Sequence, residues 1–102
     1  MEEKEKYLKI ISNYGVRPQL KYFQSEVYEL TEAIIDYDYV ELYKGSKAEV
    51  VGKEHIAEEI ADCLVMIRQF KEYYDISNDE IKNVMKYKVK RQLERIKNEK
   101  NV

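Results

Sequence analysis

The chain has 102 residues, of which 44% are apolar and 37% charged, with three Gly, one Pro and one Cys. That length suits one domain over residues 1–102, because halves would be too small to bury a core. So little Gly and Pro excludes a sheet protein, which needs a turn roughly every 8–12 residues. The lone Cys63 excludes an internal disulfide framework and fits a reducing compartment.

Charge is unevenly spread. Residues 1–80 hold 10 basic and 18 acidic side chains, whereas residues 81–102 hold 8 basic and 2 acidic. An acidic body with a basic last segment suits partner docking, nucleic acid, or a metal–phosphate ligand. The charged start, Met1 to Lys6, is not followed by an apolar stretch, and no run is long enough to span a bilayer. A cytoplasmic protein without membrane contact is expected.

Four helices are predicted. The first covers Glu2 to Tyr14, with Leu8 and Ile11 on its apolar face, and Gly15 ends it. Pro18 suits the first turn of the second helix, where its missing N–H costs nothing. That helix runs from about Arg17 to about Tyr43, with a stripe of Leu20, Phe23, Val27, Leu30, Ile34 and Tyr37 at helical spacing. A loop follows from Lys44, ending near Gly52. The third helix runs from about Glu54 to about Tyr74, with Ile56, Ile60, Cys63, Ile67, Phe70 and Tyr74 as its stripe. Ser77 then reads as an N-cap, with Glu80 three residues later completing a capping box. The fourth helix continues to about Asn98, carrying Ile81, Met85, Val89, Gln92 and Ile96 near one face. A hundred residues in such helices make a thin all-α bundle, which commonly completes its core by self-association. The ten tyrosines are expected in the core or at a subunit interface, with their hydroxyls at the rim. Cys63 is expected as a small core residue.

Two acidic pairs carry the chemistry. Glu26 and Glu29 lie three apart on the second helix; Glu59 and Asp62 lie three apart on the third. Each pair projects beside its apolar stripe. Gln19, Tyr22, Glu26 and Glu29 share one strip, and Glu59, Asp62 and Met66 another. If the stripes pack together, the pairs converge at the edge of the core. Converging carboxylates repel unless cations lie between them, and hard oxygen donors suit Mg²⁺ or Mn²⁺. Mg²⁺ held by few carboxylates usually completes its shell with water and substrate phosphates, so a phosphate-bearing substrate is indicated. Glu32, Asp36, Glu41, Glu58 and Glu72 read as solvated charges. A di-iron bundle needs two Glu-x-x-His motifs; this chain has one histidine, His55, and no such motif. His55 reads as a helix-start residue, with a supporting place beside Glu59 and Asp62 as the other reading.

On the fourth helix Lys88, Arg91 and Arg95 share a face beside Tyr87. Set opposite the acidic strips, they would hold phosphates from the other side. Equally, they read as a solvated basic helix end that complements the helix dipole.

The run Gln19-Leu20-Lys21-Tyr22-Phe23-Gln24-Ser25-Glu26-Val27-Tyr28-Glu29 resembles the first motif of MazG-like pyrophosphohydrolases. The run His55-Ile56-Ala57-Glu58-Glu59-Ile60-Ala61-Asp62 resembles the second, and Lys86 to Arg91 resembles the basic last helix. The resemblance covers roughly residues 17–96. It implies a four-helix MazG-like bundle of the all-α NTP pyrophosphatase superfamily; the thin shape and the composition already lead to the expectation that a homodimer or a dimer of dimers completes it. It implies that Glu26, Glu29, Glu59 and Asp62 bind Mg²⁺, with Mn²⁺ as a possible substitute, and form the catalytic centre. Lys88 and Arg91 would meet the phosphates, and Gln19 would lie near the substrate. From their places on the two faces, Tyr22 and Arg95 join this substrate-binding set. The implied reaction is hydrolysis of a nucleoside triphosphate between its α and β phosphates, giving monophosphate and pyrophosphate. Many members carry an acid where Ser25 stands here. The alternative is a non-catalytic helical interaction module with a relic metal site. Nucleic-acid binding through the last helix is disfavoured, because the body is acidic and phosphate contacts dominate such affinity.

Overall fold

The computed structural model describes the backbone of residues 1–44 and 47–100, and the side chains of these outside 40–51. The described residues form four helices and no strand: α1 (Glu3–Tyr14), α2 (Val16–Lys44), α3 (Lys47–Tyr73) and α4 (Asn78–Lys100). The all-α expectation holds, and no described helix is long and apolar enough to cross a membrane.

Gly15 separates α1 from α2 with φ 92° and ψ 156°, a conformation essentially confined to glycine. Its N–H donates to the Ile11 carbonyl at 2.7 Å, and its carbonyl accepts from the Gln19 N–H at 3.2 Å. One residue thus closes one helix and opens the next, and Pro18 sits in the first turn of α2 as expected.

The expected loop to Gly52 is corrected. Helix α3 begins at Lys47, so Ala48 to Gly52 are helical; Gly45 and Ser46 lie outside the described residues. Gly52 is not a breaker here. A Cβ on it would overlap the Tyr37 ring of α2, so the glycine lets the two helices approach closely.

At its other end α3 stops in a Schellman turn. Asp75 takes φ 54°, the Asp75 N–H donates to the Glu72 carbonyl at 3.1 Å, and the Ile76 N–H donates to the Lys71 carbonyl at 3.0 Å. Ser77 caps α4: its Oγ accepts from the Glu80 N–H at 3.0 Å, the backbone half of the expected capping box.

Helices α2 and α3 form the main antiparallel pair, and α1 lies chiefly on α3 while touching α2. Among the described residues, Ile11, Ala33, Cys63 and Met66 are the buried apolar ones. Phe23 and Phe70 meet edge to face across the seam, centroids 5.7 Å apart. Cys63 is in the core, as expected. The α1–α3 contact is polar at its rim: the Arg68 guanidinium covers the Tyr7 ring at 4.9 Å, and Lys4 reaches Asp75 at 3.2 Å. Glu72 corrects its reading as a solvated charge. It is buried under α1, bonded by Lys71, with Arg68 Nε 3.8 Å away.

Two further expectations shift. The seam is centred about one residue from the expected stripes, so Leu20, Val27 and Ile34 on α2 and Ile60 and Ile67 on α3 are more than 40% exposed. Of the described tyrosines only Tyr7 and Tyr37 are half-buried; Tyr14, Tyr22, Tyr28, Tyr39, Tyr73, Tyr74 and Tyr87 are exposed. Among the described residues, α4 packs along none of the other helices. Its first turn, at Ile81, shares a shallow hollow with Ile67, Phe70 and Tyr74. Beyond that, Met85, Val89, Leu93 and Ile96 stand exposed.

Candidate metal centre

The antiparallel packing of α2 on α3 places the two acidic pairs level with each other. One ligand oxygen from each of Glu26, Glu29 and Glu59 lies within 4.8 Å of the others. Asp62, the fourth expected ligand, is not part of that close group; it lies near enough for its charge to act on Glu26 and lines the adjoining cavity with it. The sequence placed these four at the edge of the core. The structure puts Glu26 and Glu59 inside the seam, 5% and 8% exposed, with Glu29 and Asp62 open to solvent beside them.

Such burial has an electrostatic signature. Desolvation foremost, and then the Glu29 and Asp62 charges, hold the Glu26 carboxyl above its ordinary range, against a lowering hydrogen bond from Tyr22. Desolvation, followed by the charges of Glu29 and Asp62, does the same to Glu59, with His55 pulling the other way. His55 Nδ1 is 3.9 Å from Glu59 Oε1. Because α3 begins at Lys47, His55 is two turns inside the helix rather than at its start. The Tyr22 hydroxyl is raised first by its hydrogen bond to Glu26 and then by that residue's charge. Burial and the four carboxylates raise the Cys63 thiol, so it stays a neutral core group.

Glu26 Oε2 and Glu59 Oε2 are both buried without a hydrogen-bond partner. A buried carboxylate oxygen with no partner is costly, and two together, facing a third acid, are relieved either by taking up a proton or by a cation. Hard oxygen donors at this spacing fit Mg²⁺ or Mn²⁺, whose remaining positions water and phosphate oxygens fill. The residues present therefore fit the expected ion.

Behind the carboxylates a cavity of about 540 Å³ opens between α1, α2 and α3. Gln19 and Tyr22, both expected near substrate, line it together with Glu26 and Asp62. Gln69 also lines it and was missed. Its signal was present, for Glu59, Asp62, Met66 and Gln69 follow one another at spacings of three, four and three on one strip of α3.

The basic residues are elsewhere. Lys88, Arg91 and Arg95 lie on α4, exposed and away from the acids of the same chain. Arg91 stacks over the neighbouring Tyr87 ring at 5.6 Å, and Arg95 Nη1 donates to Gln92 Oε1 at 3.2 Å. No protein-family model matches the chain, and no curated protein and no solved structure matches it either, so the chemistry is argued from these residues themselves.

Proposed function

We propose that this protein is a Mg²⁺-dependent, MazG-like nucleoside triphosphate pyrophosphohydrolase. The observation that carries the reading is the pair of partnerless buried oxygens on Glu26 and Glu59, converging with Glu29. A merely structural seam would place apolar side chains there, since burying unpaired charge destabilises a fold. Glu26, Glu29, Glu59 and Asp62 would hold the ion, which when bound supplies positive charge to steady the phosphoryl oxygens during in-line displacement.

The chain's own residues have distinct tasks. Glu26 and Glu59, buried in the seam, would fix where the ion sits. Glu29 and Asp62, at the solvent side, are the carboxylates that an entering triphosphate and an attacking water can reach. Tyr22, one turn before Glu26 on α2, lines the cavity beside it. In the reaction so read, the oxygen of water bonds to phosphorus as the α–β bridge breaks, its proton passing to a carboxylate of the four or to solvent, and nucleoside monophosphate and pyrophosphate result. Lys88, Arg91 and Arg95 meet phosphates in this reading only if α4 is carried to an acidic site by assembly, so a homodimer or dimer of dimers belongs to it.

The exposed amphipathic face of α4 is the observation that favours a non-catalytic interaction module as the second reading. One experiment separates them. Ribo- and deoxyribonucleoside triphosphates are incubated with Mg²⁺, Mn²⁺ or EDTA and the products resolved. Monophosphate plus pyrophosphate formed only with metal, and lost in Glu59→Gln and Asp62→Asn, is the expected outcome. Normal turnover in either variant would remove the site assignment. No product at high enzyme concentration would favour the module.

A further inference from the structure

The cavity beside the metal centre is built in tiers. Glu26 and Asp62 close one end. Seven residues back along α2 stands Gln19, and seven residues on along α3 stands Gln69. At 1.5 Å per residue, each is about 10 Å from its carboxylate. The two amides meet, Gln19 Nε2 donating to Gln69 Oε1 at 2.7 Å. Between the ends lie Tyr22 from α2 and Val65 and Met66 from α3, while Ile10 and Tyr14 of α1 wall the cavity on its other side.

The amide pair is oddly furnished for a plain core. Gln69 is 1% exposed and Gln19 8%, yet beyond each other their nearest acceptor is the Met66 sulfur. It lies 3.5 Å from Gln69 Nε2 and 4.0 Å from Gln19 Nε2. A thioether is a weak acceptor, and a carboxamide offers two donors and two acceptor lone pairs. Among the described residues Gln19 Oε1 has no hydrogen-bond partner of its own. Amides with spare capacity, facing a cavity whose far end would take phosphate once an ion is bound there, suit a ligand bearing adjacent donors and acceptors. A distance of about 10 Å accommodates a phosphate, a pentose and one ring edge in line.

We propose that this cavity is the nucleoside pocket: the sugar lies at the level of Tyr22 and Met66, and the hydrogen-bonding edge of the base meets the Gln19–Gln69 amides. Gln69, held by Gln19 and Met66, is then the residue that reads the base. The proposal rests on the hydrolase reading only for the phosphate end.

Two readouts test it. In the ¹⁵N-labelled full chain with Mg²⁺, nucleoside monophosphates are titrated while the side-chain NH₂ signals of Gln19 and Gln69 are followed. The Gln69 signals should move with at least one nucleotide and stay still with ribose 5-phosphate. Gln69 signals that no nucleotide moves would overturn the pocket. In the second experiment Gln69→Met, of similar length, should lower kcat/KM for the best nucleotide about 10- to 100-fold. It should also flatten the ranking among bases. A folded Gln69→Met enzyme that keeps the wild-type ranking would overturn the pocket and leave the hydrolase standing. If the wild type hydrolyses nothing but nucleotides still move Gln69, the hydrolase falls and the pocket stands.

Discussion

Glu26 and Glu59 sit in a helix seam where leucine would fit better, and that choice sets a stability bargain at the residue scale. Without a cation their buried charge works against the fold. Glu26→Gln should therefore raise the melting temperature in EDTA while weakening Mg²⁺ binding. For the wild type, Mg²⁺ at about 100 times its Kd should stabilise by about 2.7 kcal/mol, and much of this increment should be missing in the variant. Thermal unfolding with and without metal checks both parts; an unchanged Mg²⁺ increment would take Glu26 out of the site. Glu72 is the opposite case. Its hydrogen bond from Lys71 is the main cause that lowers its pKa. A lowered folded pKa gives stability that is present above the ordinary carboxylate value of 4.5 and is lost as pH falls through the folded value. Glu72→Gln should reduce stability at neutral pH and make the acid limb of a melting curve against pH shallower. A limb of unchanged slope would show that the ion pair contributes nothing.

At the scale of the helix, the ends are set by single residues. Ser77→Ala removes the acceptor for the Glu80 N–H and should cost about 1 kcal/mol, a fall in melting temperature of about 4–8 °C. Gly15→Ala forces a side chain into backbone space that L-residues avoid and should cost about 1–3 kcal/mol. Denaturant titration measures each, and a neutral Gly15→Ala would mean the α1–α2 corner relaxes. Much of this scale was legible beforehand: Gly15, Pro18 and Ser77 act locally, and local chemistry is written in neighbouring residues. Gly52 misled for a related reason. In isolation a glycine reads as a loop, and only the Tyr37 ring of another helix shows that it is there for close approach.

At the scale of the whole molecule, two apolar surfaces remain uncovered among the described residues. Leu20, Val27 and Ile34 with Ile60 and Ile67 form one, on the α2–α3 pair, and Met85, Val89, Leu93 and Ile96 form the other, on α4. Exposed aliphatic faces of this kind favour association. Sedimentation velocity should show a dimer or larger species that dissociates on dilution. Ile60→Lys with Ile67→Lys should shift it to monomer while circular dichroism keeps its helical signal. A wild type that is monomeric at every concentration would remove this expectation.

The residues alone determined that the chain is helical, where most helices begin and end, and which four acids carry metal-like spacing, because periodicity and capping are short-range properties. They did not determine how deep those acids lie. The expected stripes ran through Leu20, Val27, Ile60 and Ile67, yet packing turned each helix by about one residue and drew Glu26 and Glu59 into the seam. A rotation of that size leaves helical periodicity unchanged, so it is invisible until α2 meets α3. The same holds for the burial of Glu72 and for Gln69, whose meeting with Gln19 across 50 residues of chain exists only in the folded pair. The place of α4 is likewise a matter of tertiary packing. Its amphipathic pattern declares a face that seeks a partner, and no pattern along one helix can say which surface receives it.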